Sequence, residues 1–144
     1  MYKSVQLLII IVIFESITHQ HMKKVTGIGG IFFKAEDPKA LNDWYAKNLG
    51  LETSPYGTTF EWQQPGDPEK TGSTTWCAFP QDADNFKPST KPFMINYRVE
   101  NLAALVEELK KENVTVLDEI AEYEYGKFVH ILDLEGNILE LWEG

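Results

Sequence analysis

The chain has 144 residues, 43% of them hydrophobic and 12% aromatic, enough for one domain with a genuine core, which excludes an unfolded tail. Thirteen basic against twenty-two acidic residues leave a net charge of -9, which repels phosphate backbones and anionic bilayers, so neither a nucleic acid nor a membrane is expected as partner. Cys77 is the only cysteine, so no internal disulfide can form, nothing resembles a thiolate zinc site, and a reducing, cytoplasmic setting is expected.

Two readings of residues 1–21 are open. Lys3 precedes the apolar run Val5 to Phe14, which has the make-up of a secretory signal core but is too short to cross about 30 Å of hydrocarbon as a helix. Glu15-Ser16-Ile17-Thr18 lacks the small residues that a signal peptidase prefers, so the segment is read instead as an extension ahead of a start at Met22-Lys23-Lys24. His19 and His21 are tail residues on this reading, and secretion follows only if the segment acts as a signal. Residues 22–144 are expected to form the folded domain.

Ile28 to Glu36 alternates like a strand, with Ile31, Phe33 and Ala35 on one face and Gly30, Phe32 and Lys34 on the other. Asp37 caps and Pro38 opens a helix with the apolar stripe Leu41, Trp44, Tyr45 and Leu49, which Gly50 closes. Leu51 to Thr53 begins a strand and Ser54 to Gly57 is a turn; strands follow at Thr58 to Gln64 and Ser73 to Phe79, separated by a polar loop from Pro65 to Gly72. Pro80 to Pro92, with three prolines, is an extended connector. Phe93 to Val99 is a strand, Asn101 caps a helix that buries Leu102, Leu105, Val106 and Leu109, and Val114 to Leu117 is a strand. Asp118 to Gly126 is an acidic loop that could act as a lid, and Lys127 to Leu132 pairs with Ile138 to Trp142 through the turn Asp133 to Asn137.

The two halves repeat each other at an offset of 64. Gly30 to Lys47 and Met94 to Lys111 align without a gap and share Ile31/Ile95, Glu36/Glu100, Ala40/Ala104, Leu41/Leu105 and Lys47/Lys111, with Asp37 and Asn101 as equivalent helix starts. A duplicated strand-helix unit follows, about 26–80 and about 92–143, each unit completed by about three strands. The fold class is α+β, with two βαβββ modules forming a curved mixed sheet around a cavity.

Three stretches carry a family resemblance: the strand ending in Glu36-Asp37-Pro38, the run Trp44-Tyr45-Ala46-Lys47-Asn48-Leu49-Gly50-Leu51, and the closing Asp133-Leu134-Glu135-Gly136-Asn137-Ile138-Leu139-Glu140-Leu141-Trp142. They resemble the vicinal oxygen chelate superfamily, which includes glyoxalase I, extradiol dioxygenases and bleomycin- and fosfomycin-resistance proteins. The resemblance implies a common cavity, often with a divalent ion, and members that commonly form homodimers. It places metal ligands where this chain has Gly30 and Met94, and near Thr75, Trp76 or Cys77; only Glu140 stands where a final carboxylate ligand is implied. Glycine and a thioether cannot replace hard donors, so no cofactor is expected, and a divalent metal is disfavoured unless ligands such as His130 and Glu140 are joined by others.

By alternation, Gly30, Phe32, Lys34, Met94, Asn96 and Arg98 face the cavity, and Ile31, Phe33, Ala35, Ile95, Tyr97 and Val99 face the helices. Phe32, Trp62, Trp76, Tyr125 and Trp142 are its expected walls, and Asn96 and Arg98 its polar anchors. His130 and Glu140 should stand side by side on the last hairpin, either as an acid-base pair or as a structural hydrogen bond. Two functions are expected as alternatives. One is a module that binds a small apolar or aromatic molecule between the halves; the other is a glyoxalase-like lyase or isomerase using Glu140 and His130. The expected partners are a small-molecule ligand and a second copy of the chain.

Overall fold

The computed structural model describes residues 25–144; the segment 1–21, with His19 and His21, lies outside the described residues. Strands β1 (Val25–Ala35), β2 (Thr58–Gln64), β3 (Asp67–Pro80), β4 (Phe93–Val99), β5 (Ala121–Tyr123), β6 (Gly126–Leu132) and β7 (Ile138–Glu143) form one open mixed sheet. Its order is β2-β3-β1-β4-β7-β6-β5, and helices α1 (Pro38–Leu49) and α2 (Leu102–Lys111) follow β1 and β4. In each half the first strand runs parallel to the last, β1 beside β3 and β4 beside β7. The halves meet where β1 and β4 pair antiparallel.

The repeat explains that seam. Ile31 pairs with Ile95, its own equivalent in the duplication, and the flanking pairs Gly30–Asn96 and Phe32–Met94 interchange under the same offset. A local two-fold axis therefore passes through the Ile31–Ile95 pair. The helix starts obey it too: the Asp37 and Asn101 side chains accept from the N–H groups of Ala40 and Ala104 at 2.9 and 3.3 Å. Gly50 closes α1 in the left-handed region with φ of 70°, where a side chain would be strained.

Packing breaks the symmetry. Helix α2 buries Leu102, Leu105 and Val106 against Val99, Val129, Ile131 and Leu141, the odd-numbered positions of β4, β6 and β7. Each such side chain contributes about 1.5–3 kcal/mol by leaving water. Helix α1 is held less deeply. Of its expected stripe, Tyr45 packs on Trp76 at a ring distance of 4.7 Å, whereas Trp44 and Leu49 are exposed.

Three sequence expectations change. Leu51 to Thr53 lies outside any strand and leads to a Ser54–Gly57 bridge that closes its own turn. The Pro65–Gly72 loop shrinks to a turn at Gly66, because β3 already begins at Asp67 and pairs with β2. Val114 to Leu117 runs along β6, with Leu117 N–H bonding the His130 carbonyl and Leu132 N–H the Thr115 carbonyl, but it is cut short. At the next position the Asp118 carboxylate, not a backbone carbonyl, takes the His130 N–H at 2.8 Å.

Leu102 is 0% exposed and Leu134 fully so, which separates core from surface for one residue type. Leu102→Ala is expected to cost about 2–5 kcal/mol in urea denaturation, and Leu134→Ala to stay within about 0.5 kcal/mol of the parent.

Candidate functional site

Side chains opposite the α2 face point to the other side of the sheet, where a cavity of about 480 Å³ opens. Its floor comes from Glu140, His130 and Met94 on β7, β6 and β4, and its walls are Phe32, Phe79, Phe128, Tyr123 and Tyr125. Asp118, Ala121 and Asn85 complete the lining. Below it, Met94, Ile138 and Phe86 form a second buried cluster with Phe32, Phe79, Leu117 and Leu132. A single 3-10 turn, Asp84–Phe86, supplies the Phe86 ring.

The floor is a hydrogen-bonded chain of four side chains. His130 and Glu140 are opposite one another in the β6–β7 ladder, and His130 Nε2 lies 2.9 Å from Glu140 Oε2. The other ring nitrogen, Nδ1, is 2.6 Å from Asp118 Oδ2. Asn96, beside Glu140 in the β4–β7 ladder, donates through Nδ2 to Glu140 Oε1 at 2.7 Å. The hairpin that sets this register is fixed by Asp133, whose carboxylate accepts from the N–H groups of Glu135 and Asn137, both at 2.9 Å.

Asn96 is 2% exposed and its Oδ1 has no partner among the described residues, an arrangement that costs about 1–3 kcal/mol when nothing else reaches the atom. Gly29 makes room for it: a Cβ there would overlap Asn96 Oδ1 and the Trp142 ring. The glycines before Ile31 thus serve close packing.

Of the residues expected in the cavity, the structure brings together Phe32, Tyr125, His130 and Glu140, with Asn96 directly beneath. Trp142 stands in a second row. It stacks on Phe128 at 5.8 Å and 7°, and its Nε1 donates to the Tyr125 carbonyl at 2.9 Å. Arg98 lies over the Trp142 ring at 4.3 Å and lines a separate polar recess with Lys70, Glu100 and Glu143. Lys34, also expected to face the cavity, lies over Phe86 at 5.6 Å and is not part of the lining.

Two expected walls are elsewhere. Trp76 turns to the α1 side, between Phe33 at 5.1 Å and Tyr45 at 4.7 Å, because it sits beside Ile31 in the β1–β3 ladder. Trp62 covers Gly27 and Gly72 at the far edge of the sheet, where a Cβ on either glycine would collide with its ring, and donates to Thr74 Oγ1 at 2.8 Å. Sequence reasoning missed Asp118 as a member of the floor. Its position directly after an apolar strand-like run, in an otherwise solvated acidic stretch, was the available signal.

The donors present do not fit the divalent ion that the resemblance implies. Both His130 nitrogens already face carboxylates, Gly30 has no donor and Met94 offers only a thioether. Among the described residues, no three His, Cys, Asp or Glu side chains are placed to hold a metal ion.

Hydrogen bonding to Glu140 is the main cause that lifts the His130 pKa from 6.5 to about 9; burial opposes the rise and the Asp118 bond adds to it. The folded state therefore prefers the imidazolium. Its stabilisation is complete below about pH 6.5 and is lost as pH rises through about 9. A His130→Gln variant is expected to lose this loss of stability between pH 6.5 and 9 in denaturation curves, and the His130 ring should titrate near 9 by NMR.

Among the described residues no helix is long and apolar enough to cross a membrane. No protein-family model matches the chain, and no curated protein matches it in sequence. Solved structures do match. Methylmalonyl-CoA epimerase from Mycobacterium tuberculosis superposes with a TM-score of 0.55 and 20% identity over 83% of this chain and 88% of that one. A variant of the Streptomyces coelicolor methylmalonyl-CoA epimerase, in complex with 2-nitronate-propionyl-CoA, gives 0.61 and 17% over 84% and 99%. A glyoxalase/bleomycin resistance protein/dioxygenase superfamily member from Vibrio splendidus 12B01 gives 0.53 and 10% over 81% and 97%. Together with the paired strand-helix modules and the cavity beside their seam, these likenesses show that the chain has the vicinal oxygen chelate fold.

Proposed function

We propose that this protein is a binding module for a small molecule with a flat, apolar body, held in the cavity between the two modules. One observation carries this reading: five aromatic rings, Phe32, Phe79, Phe128, Tyr123 and Tyr125, surround about 480 Å³ of space whose floor is polar and ordered. Ligand sites are typically of this size and make-up, apolar walls with a few converging polar groups. Rings stacked edge-on and face-on, such as Phe32 on Phe79 at 5.5 Å, form stiff walls that lose little entropy on binding.

The floor favours binding over proton abstraction by His130. An imidazole bonded at both nitrogens and protonated at neutral pH has no lone pair with which to take up a proton. Its role here is to orient Glu140 and Asp118 toward the cavity.

A second copy of the chain is proposed as partner. Ile28 and Ile31 are 44% and 39% exposed on β1, a central strand, where the face between the helices is left uncovered. Sedimentation equilibrium is expected to give the mass of two chains, and a concentration-independent monomer would refute the pairing.

A panel of flat aromatic molecules is expected to raise the melting temperature, with about 2.7 kcal/mol of stabilisation at a hundredfold excess over Kd. Phe128→Ala should weaken the best ligand about tenfold in calorimetry, a loss of about 1.4 kcal/mol, while Trp76→Phe on the opposite face leaves it unchanged. A panel without a single hit, or equal effects of the two variants, would sink the proposal.

A further inference from the structure

We infer that the ligand is an organic cation, a flat body carrying one positive charge; this rests on the cavity being the binding site proposed above. The first ground is the charge of the floor. Asp118 and Glu140 both line the cavity and the only cationic group between them is the single imidazole of His130, so the floor holds two negative charges against at most one positive.

The second ground is the hydrogen-bonding sense of that floor. Both N–H groups of His130 are spent on the two carboxylates, whereas each carboxylate has about four lone-pair positions and keeps unused ones. What remains to a ligand is acceptors with negative charge. Among the described residues no lysine or arginine is left in the lining to receive an anion, the remaining polar groups being Asn85 and the tyrosine hydroxyls.

The third ground is where the cations of the neighbouring strands went. Lys34 and Arg98 belong to β1 and β4, which form the same sheet face, yet Lys34 is drawn over Phe86 and Arg98 over Trp142. Among the described residues no lysine or arginine lines the cavity. The rings that do line it present negative π faces, which attract a cation within about 6 Å of a ring centroid. At the mouth, Tyr123 and Tyr125 stack 5.3 Å apart and within 6° of parallel, and they alternate in sequence with the exposed Glu122 and Glu124. An approaching cation thus meets an aromatic rim before an acidic floor.

Three probes with one ring system test this by calorimetry near pH 7: naphthylmethylammonium, naphthylmethanol and naphthoate. The ammonium is expected to bind at least about tenfold more tightly than the alcohol, and naphthoate more weakly than both. Glu140→Gln and, separately, Asp118→Asn should each reduce the preference for the ammonium over the alcohol about tenfold, because each removes one carboxylate from the floor. Tyr125→Leu, at a residue 65% exposed, tests the rim without touching the buried chain and should weaken the ammonium more than the alcohol. Equal affinity for ammonium and alcohol, or tighter binding of naphthoate, overturns the inference while leaving the cavity a ligand site. Failure of all three probes to bind overturns the binding reading itself, and this inference with it.

Discussion

The pairing of Ile31 with Ile95 is the constraint on which the rest of the molecule depends. It joins two copies of one strand-helix unit about a local axis and places β1 and β4 at the centre of a seven-stranded sheet. Because side chains alternate along a strand, this one register decides which residues of both central strands share a face. It sends Tyr97 and Val99 to helix α2 and brings Phe32 beside Met94 on the cavity side. A slip by one residue would exchange those sets, expose the core and bury Lys34 and Arg98 under the helices.

Around that seam the two halves have diverged in what they do. The first contributes mainly walls, Phe32 and Phe79, and its helix is loosely seated with Trp44 in solvent. The second contributes the best-packed core and the whole polar floor, since Asp118, His130, Glu140 and Asn96 all follow Phe93. The duplication supplied a frame with paired positions, but Gly30 and Met94, which that frame places in equivalent sites, carry no hard donor. Apart from Asn96, the equivalent of Phe32, the floor is built from residues outside the aligned repeat, Asp118, His130 and Glu140.

The floor is held together by charge and geometry at once. An imidazole between two carboxylates gains from both partners and loses by leaving water, and the balance favours the proton. The same arrangement fixes four backbone segments, because Asp118 bonds both the ring and the N–H of His130, which meets Glu140, while Glu140 receives Asn96. The half-solvated loop carrying Asp118 is thereby tied to two strands deep in the sheet. Rigid placement of the carboxylates follows from these bonds.

Local signals in the chain were sufficient for much of this. Asp37-Pro38 and Asn101 mark the helix starts, Gly50 the end of α1, alternation the strands, and Asp133 to Asn137 the turn that sets His130 opposite Glu140; each depends on residues within a few positions of one another. The 64-residue offset added the pairing of modules. Trp62 and Trp76 defeated the same logic, because an aromatic on a strand has no face until its neighbour's register is known, and that register belongs to residues some 40 positions distant in β1. Asp118 was hidden for the related reason that its partner lies twelve residues away across a sheet edge. Residues close together in the chain were enough for the elements and their duplication. Packing between distant strands set which rings wall the cavity, that Lys34 lies over Phe86 and Arg98 over Trp142, and that one histidine is shared by two carboxylates, since each of these contacts joins segments far apart in the chain.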